Sequence, residues 1–311
     1  MTTISVVDPV NKALGTVRQT LFAPFNLVKW LGLGFTAWLA TLTEGFMPNF
    51  NFNLDFLPDE VFESSTGRGI IYWIQDHLAL VISVGIVLGI MLLAVGLVIS
   101  WLNCRGKFMF LDNVLNNRAE IRSPWQMFRR QGNALFLFSI CFGVAMLAIL
   151  VIFGLLFFMI AWPDIVRHNF GFNAIGAIVL GGLFLISYCL ISVGLLALLN
   201  DFIVPLMLLR ECRVMTAWAE LFELFKAQAG RFVLYLLFRF VLALVISAVA
   251  IAACCLLCCT VLIPYVGTVI LLPIHVFWRS YSSHFLEQFG DAYRLFGPGP
   301  LQFVGAGQER V

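Results

Sequence analysis

Residues 78–102 read LALVISVGIVLGIMLLAVGLVISWL and contain no charged side chain. The hydrocarbon core of a bilayer is crossed by about 20 apolar residues of α-helix, so this segment is long enough to span it. Only 12% of the 311 residues are charged, whereas about 25% is typical of soluble domains. The segment and the composition together predict an integral membrane protein.

Five further apolar stretches lie on either side of this one, and together the six predict an all-α fold. We expect a polytopic membrane bundle in which the whole chain, residues 1–311, forms a single transmembrane domain. The predicted spans are residues 25–42, 78–102, 133–162, 174–199, 232–263 and 266–284. The last is wholly apolar only as far as Trp278, so its inner end must face protein rather than lipid.

Lysine and arginine are distributed unevenly over the segments between these spans. Six spans place sixteen of the nineteen on the side that holds both termini, whereas only Arg68 and Arg167 lie on the other side. The positive-inside rule then predicts cytoplasmic termini, an external loop at residues 43–77 and a C-terminal tail at residues 288–311. The formal net charge of +2 is too small to indicate a nucleic-acid partner.

A mixed segment precedes each odd-numbered span. Residues 10–21, 123–132 and 216–229 carry apolar and charged side chains at helical spacing. Each is typical of an amphipathic helix that lies in the membrane interface with its apolar face towards lipid. The order of mixed helix, short polar break and two apolar stretches occurs three times, which predicts three repeated helical hairpins.

Two surface features indicate possible partners, which we expect to be membrane lipids and another protein. Arg118, Arg122, Arg129 and Arg130 form the densest basic patch. They serve either as the charge that sets the topology or as a site for anionic lipid head groups. The external loop 43–77 combines six acidic residues with an alternating run of Asn and Phe, so it is a candidate surface for a protein partner.

Three ionisable residues lie within or at the end of the predicted spans. Asp201 needs a partner at that depth, and Arg239 in the fifth span is the candidate. His275 lies in the last span, two residues after Pro273. One interpretation is structural: an ion pair joins two hairpins, and a neutral His275 bonds to a carbonyl that the proline frees. The other is a substrate or proton site between hairpins, formed by Asp201, Arg239 and His275.

Cysteines are concentrated in the sequence CCLLCC at residues 254–259. Cys254 and Cys255 begin two rows on neighbouring faces of a helix, and the turn near residue 265 places His275 at about the same depth. A metal or haem-type site is one interpretation, and small apolar residues that permit close helix packing are the other. The sequence has no P-loop, no nucleophile elbow and no zinc-protease motif, so we predict neither an enzyme nor a cofactor.

Several strings support a resemblance that covers most of the chain. They are KALGTVRQTLFAPFNLVKWLGLGFTAWLA at residues 12–40, NDFIVPLML at 200–208, TAWAELFELF at 216–225 and LLPIHVFWRSYSSHFLEQFG at 271–290. They resemble an uncharacterised family of bacterial multi-pass proteins, which is similar in layout to the membrane domain that accompanies some glycerophosphodiester phosphodiesterases. The resemblance implies a helical bundle in the bacterial cytoplasmic (inner) membrane. It implies no phosphodiesterase activity, because that activity belongs to a separate soluble barrel.

Three functions are compatible with these features. The leading hypothesis is a non-enzymatic membrane protein that organises lipids or partner proteins, because of the interfacial helices, the basic patch and the external loop. The alternative is a small transporter or lipid-handling permease with its site between hairpins, near Asp201, Arg239 and His275. The third is a metal or redox carrier that uses Cys254, Cys255 and His275.

Overall fold

The computed structural model describes residues 5–45, 72, 76–167, 171–256 and 263–296. Every regular element within these residues is helical, which confirms the predicted all-α class. The helices are α1 (Asp8–Val17), α2 (Leu27–Gly45), α3 (Leu78–Leu115), α4 (Arg122–Met127), α5 (Arg129–Val166), α6 (Phe172–Leu198), α7 (Val204–Arg210), α8 (Val214–Leu256), α9 (Val266–Ile270) and α10 (Leu272–Glu287). Two π-helical turns, Arg18–Phe22 and Leu199–Ile203, and a 3-10 turn, Asp291–Tyr293, complete the described structure.

Four helical segments are long and apolar enough to cross a membrane. They are α3, α5, α8 and the continuous run Phe172–Arg210, which joins α6 and α7 through a π-helical turn. Large apolar side chains such as Leu92, Ile152 and Leu190 are more than half exposed in the isolated chain. Such a continuous apolar surface is expected of helices that have lipid as their solvent. The described structure therefore has the features of a membrane protein.

The first predicted span packs against the helix that holds the second span, but mainly beside residues 103–117 of the chain. Residues 25–42 form most of α2, a shorter helix that runs antiparallel to the second half of α3. Lys29 Nζ donates to Asn117 Oδ1 at 2.6 Å, and Asn103 Nδ2 donates to the carbonyl oxygen of Ala40 at 2.7 Å. The sequence had assigned residues 103–132 to a cytoplasmic segment, but α3 continues to Leu115 and provides the surface on which α2 packs.

The last predicted span, residues 266–284, consists of the two helices α9 and α10. Pro273 lies in the first turn of α10, where the missing N–H costs no helical hydrogen bond. Residues 280–286 are all buried among protein side chains. This agrees with the expectation that the polar end of this segment faces protein rather than lipid. The structure therefore does not confirm six independent spans, because neither α2 nor the pair α9 and α10 has the length of the other four.

The three mixed segments are helical. Residues 10–21 form α1 and the π-helical turn that follows it, and residues 123–132 form α4 and the start of α5. Residues 216–229 form the first part of α8, which bends at Gln228, where the backbone leaves the helical region with φ −144° and ψ 45°. Most of the external loop 43–77, the end of the fifth predicted span and most of the tail 288–311 lie outside the described residues.

The core lies at one end of the apolar stretches, where the polar helix ends meet. Residues 103–114 of α3 and residues 201–208 are all buried. Around them lie aromatic side chains from α8 and α10, including Tyr235, Tyr281 and Phe285, which are fully buried. The Ser5 N–H donates to Gln288 Oε1 at 2.7 Å, so the start of the described chain lies against its end. The segments that the sequence assigned to the cytoplasmic side therefore form one folded body.

Candidate functional site

Asp201, Arg239 and His275, which the sequence indicated as a candidate polar site, line one cavity of about 250 Å³. We call it the charged cavity. Its walls come from α2, α3, α8, α10 and the π-helical turn between α6 and α7, and they also include Asn200 and Arg279. Helices that are distant in sequence thus bring these ionisable groups together.

The position of Asn200 and Asp201 follows from the local backbone. Both residues lie in the π-helical turn Leu199–Ile203, and Pro205 follows at the start of α7. Because Pro205 has no N–H, it cannot donate to the carbonyl groups one turn earlier. Arg279 Nη1 donates to the carbonyl oxygen of Asn200 at 2.6 Å. Such π-helical turns are frequent at functional sites, because they re-aim the side chains of an otherwise regular helix.

A short hydrogen-bond network holds the carboxylate of Asp201. Arg239 Nε donates to Asp201 Oδ2 at 2.5 Å, and the hydroxyl of Tyr235 donates to the same oxygen at 2.9 Å. The Asp201 side chain is 7% exposed and that of Arg239 is 25% exposed. The guanidinium of Arg239 also lies 5.1 Å from the centroid of the Trp278 ring, a cation–π distance. The structure therefore contains the pairing of Asp201 with Arg239 that the sequence indicated.

Guanidinium groups contribute much of the polar lining of the cavity. Among the residues that the structure describes, the lining includes two guanidinium groups, from Arg239 and Arg279, and one carboxylate, from Asp201. Guanidinium groups are hydrogen-bond donors that suit an anionic ligand. Asn200 Oδ1 is buried and accepts no hydrogen bond from the part of the chain that the structure describes. An anion that also carries a hydroxyl group therefore suits this cavity.

A family of unknown function, DUF7544, matches residues 4–286. The chain belongs to this family. The match extends from the residues before α1 almost to the end of α10, so it includes every part of the charged cavity. No curated protein and no solved structure matches the chain. The comparisons confirm the expectation of an uncharacterised family, but they show neither a similarity to glycerophosphodiester phosphodiesterases nor a bacterial origin.

The four arginines of the basic patch differ in how exposed they are. Arg118 Nη2 lies 2.7 Å from Asp112 Oδ2, and the side chain of Asp112 is fully buried, so Arg118 holds the turn that follows α3. Arg122, Arg129 and Arg130 are exposed on α4 and at the start of α5. Only these three are accessible enough to meet lipid head groups.

The cysteine cluster and His275 are only partly described. Cys254 is half-buried and Cys255 is exposed, both near the end of α8, whereas Cys258 and Cys259 lie outside the described residues. Among the residues that the structure describes, no three His, Cys, Asp or Glu side chains are placed to hold a metal ion. His275 instead lines the charged cavity with Asp201.

Two arginines were not recognised from the sequence. Arg279 was counted among the charges that set the topology, although it follows His275 by four residues and so shares its helix face. That spacing was the signal that could have identified it. Arg105 lies between two indole rings, 4.3 Å from the centroid of Trp101 and 4.8 Å from that of Trp125. It joins α3 to α4 by cation–π contacts.

Proposed function

We propose that the protein is a non-enzymatic multi-pass membrane protein that binds an anionic substrate in the charged cavity. It acts as a small permease or lipid-handling protein. The observation that carries the proposal is that two guanidinium groups, from Arg239 and Arg279, line a cavity formed by several helices. Substrate sites of membrane transporters are commonly formed by discontinuous helices. Here the π-helical turn before α7 and the break between α9 and α10 provide such discontinuities.

The topology that we propose places both termini and the segments 103–132 and 201–231 on the cytoplasmic side. The hydrogen bond between Ser5 and Gln288, and the cation–π contact of Arg210 with Tyr293, 5.4 Å to the ring centroid, support this arrangement. The positive-inside rule supports the direction, because most lysines and arginines lie in these segments. In this layout α2 packs beside residues 103–117, and the pair α9 and α10 packs against α2 and α1, so both are covered mainly by protein.

A second candidate function is the organisation of anionic lipids at the protein surface. The exposure of Arg122, Arg129 and Arg130 favours it, because cations at the membrane surface attract anionic head groups. The proposed protein contact through the external loop 43–77 belongs to this candidate. This function does not need the charged cavity, so the two candidates make different predictions for the same variants.

Native mass spectrometry of the protein, extracted gently from its own membranes, tests the two candidates. Thr41 lines the charged cavity, and its hydroxyl donates only within α2, to the carbonyls of Ala37 and Trp38. Thr41→Leu therefore adds apolar volume to the cavity and breaks no hydrogen bond between helices. We expect the wild type to carry a defined anionic adduct that Thr41→Leu loses.

The matched control is the double variant Arg129→Gln and Arg130→Gln, which removes surface charge only. Under the cavity proposal this variant keeps the adduct. Loss of the adduct from the control, with the adduct retained in Thr41→Leu, would contradict the cavity proposal and support surface recognition. A wild type without any adduct would contradict both.

A further inference from the structure

Arg105 and Arg129 bring two guanidinium groups together where α3 meets the start of α5. The stem of Arg105 packs on Gly132, since a Cβ atom built on that glycine would lie 2.8 Å from Arg105 Cγ. Arg105 Nη2 donates to Asn133 Oδ1 at 3.1 Å. Gly132 and Asn133 follow Arg129 by three and four residues, so they lie on the same face of α5 as Arg129. The charge of Arg129 is therefore close enough to act on Arg105.

Neither guanidinium is paired with a carboxylate in the part of the chain that the structure describes. The acidic side chains that pair with arginine there contact Arg118, Arg210 and Arg239 instead. Arg105 is 6% exposed, and its buried Nε donates to no group of the described residues. A buried donor without an acceptor costs free energy, and two adjacent positive charges repel each other. An anion from outside the chain would reduce both costs.

Two tryptophans place this pair of arginines at the level of lipid head groups. The guanidinium of Arg105 lies 4.3 Å from the centroid of the Trp101 ring and 4.8 Å from that of the Trp125 ring. Trp101 lies in the last turn of the charge-free stretch 78–102. Tryptophan is enriched where the hydrocarbon core meets the head groups, because its ring is apolar and its N–H is polar. The phosphate groups of the adjacent leaflet therefore lie near the depth of Arg105.

Exposed apolar side chains extend from the two arginines towards the bilayer centre. Val98 precedes Arg105 by two helical turns and is 56% exposed. Leu137 follows Asn133 by one turn and is 64% exposed. Because α3 and α5 pack against each other, these side chains belong to neighbouring apolar surfaces. A lipid whose phosphate lies at the arginines can place its hydrocarbon chains along both helices.

We infer that Arg105 and Arg129 bind the phosphate of an anionic phospholipid whose acyl chains lie along α3 and α5. The inference rests on the second candidate function and deepens it, because it names one site and one class of lipid. It does not need the charged cavity. Guanidinium groups bind phosphate through paired N–H···O bonds. A zwitterionic head group suits the site less well, because its cation would approach two guanidinium groups.

The test is native mass spectrometry of the purified, delipidated protein in detergent, titrated with dioleoyl phosphatidylglycerol. Dioleoyl phosphatidylcholine has the same chains and a zwitterionic head group, so it is the control ligand. Arg129→Gln removes one guanidinium group, and Arg130→Gln, at the next exposed residue, is the matched control. Gly132→Ala keeps every charge but displaces Arg105, whereas nothing lies within 4 Å of the Cβ added by Gly143→Ala. Melting temperatures show whether each variant is folded.

We expect the wild type to bind one phosphatidylglycerol at least about tenfold more tightly than phosphatidylcholine. Arg129→Gln should weaken phosphatidylglycerol by about tenfold, the usual effect of losing a charge-assisted hydrogen bond, and Arg130→Gln should leave it nearly unchanged. Gly132→Ala should weaken it and Gly143→Ala should not. Inorganic phosphate in large excess should not displace the lipid, because it cannot use the apolar surfaces of α3 and α5.

The contrary outcomes are distinct from those of the cavity proposal. Equal losses for Arg129→Gln and Arg130→Gln, or equal affinities for the two lipids, would overturn the site and leave only general attraction by surface charge. Displacement by inorganic phosphate would overturn the assignment to a lipid. Thr41→Leu should leave phosphatidylglycerol binding unchanged, so failure of this site does not affect the charged cavity. Loss of phosphatidylglycerol from Thr41→Leu alone would assign the lipid to the cavity and overturn the inference.

Discussion

Gly106 shows how closely the helices approach one another where α2 meets α3. A Cβ atom built on Gly106 would lie 2.5 Å from the carbonyl carbon of Leu39 and 2.7 Å from the backbone nitrogen of Ala40. Backbone atoms cannot rotate away as a side chain does, so any larger residue must separate the two helices. The contact also brings Asn103 within reach of the carbonyls at the end of α2.

We therefore predict that Gly106→Ala destabilises the protein by about 1–3 kcal/mol, the usual cost of overpacking a tight interface. The measurement is thermal unfolding of the purified protein in detergent. The matched control is Gly96→Ala on the same helix, where nothing lies within 4 Å of the added Cβ. We expect Gly96→Ala to leave the melting temperature unchanged or to raise it slightly, because alanine favours a helix more than glycine does. Equal melting temperatures for the two variants would show that α2 does not pack on α3 in this way.

The partner of a single residue could be predicted from the sequence where only one suitable residue was available. A carboxylate at the depth of Asp201 needs a cation, and Arg239 was the available one. Arg118 was assigned to the basic patch, and its bond to Asp112 was not foreseen, because Asp112 lies on a part of α3 that the sequence did not predict to be helical. Nothing local in the sequence indicated that Arg118 faces inwards.

The end of α10 is held by the carboxylate of Glu287. Its Oε1 accepts hydrogen bonds from the N–H groups of Leu295 and Phe296, at 3.0 and 2.7 Å, and its Oε2 lies 3.0 Å from His284 Nδ1. Burial on its own raises the pKa of Glu287. The hydrogen bonds from His284 and from the two backbone N–H groups outweigh burial and leave the pKa below its ordinary value.

The lowered pKa of Glu287 predicts how docking of residues 291–296 depends on pH. A carboxyl group whose pKa is lower in the folded than in the unfolded state contributes its full stabilisation of the folded state above its unfolded pKa. The stabilisation is lost as the pH falls through the folded pKa, below the ordinary value for glutamate. We expect the amides of Leu295 and Phe296 to lose protection from hydrogen exchange in that acidic range, after correction for intrinsic exchange rates. Glu287→Gln should remove this pH dependence, and a variant that keeps it would contradict the assignment to Glu287.

At the scale of whole helices, the apolar runs located α3, α5, α6 and α8, but α3 continues beyond its predicted span to Leu115. A span was taken to end where polar residues begin, yet Asn103 and Asp112 continue α3 because their side chains bond to protein. The same reasoning explains α2, since its apolar face covers this polar half of α3 rather than lipid. Composition shows that a helix is apolar, but it does not show whether lipid or protein covers it.

On the scale of the whole molecule, the polar helix ends form one folded body and the apolar stretches extend from it. The sequence indicated which segments share a side of the membrane through the distribution of lysine and arginine. It did not indicate that these segments pack together, because contacts such as Ser5 with Gln288 join residues almost the full chain apart. The charged cavity lies at the border of this body, where α8 and α10 leave it.

We infer that this body lies on one side of the membrane, opposite the helix ends near Asp76 and Arg167. Membrane-impermeant maleimide labelling of single introduced cysteines, in vesicles of both orientations, is the measurement that tests this inference.

The exposed positions Asn11, Glu120, Lys226 and Asp291 report on the body, and Asp76 and Arg167 report on the opposite side. The parent chain measures the background from its eight native cysteines. We expect the first four positions to be labelled from one side and the last two from the other. Labelling of Asn11 or Asp291 from the same side as Asp76 would contradict it.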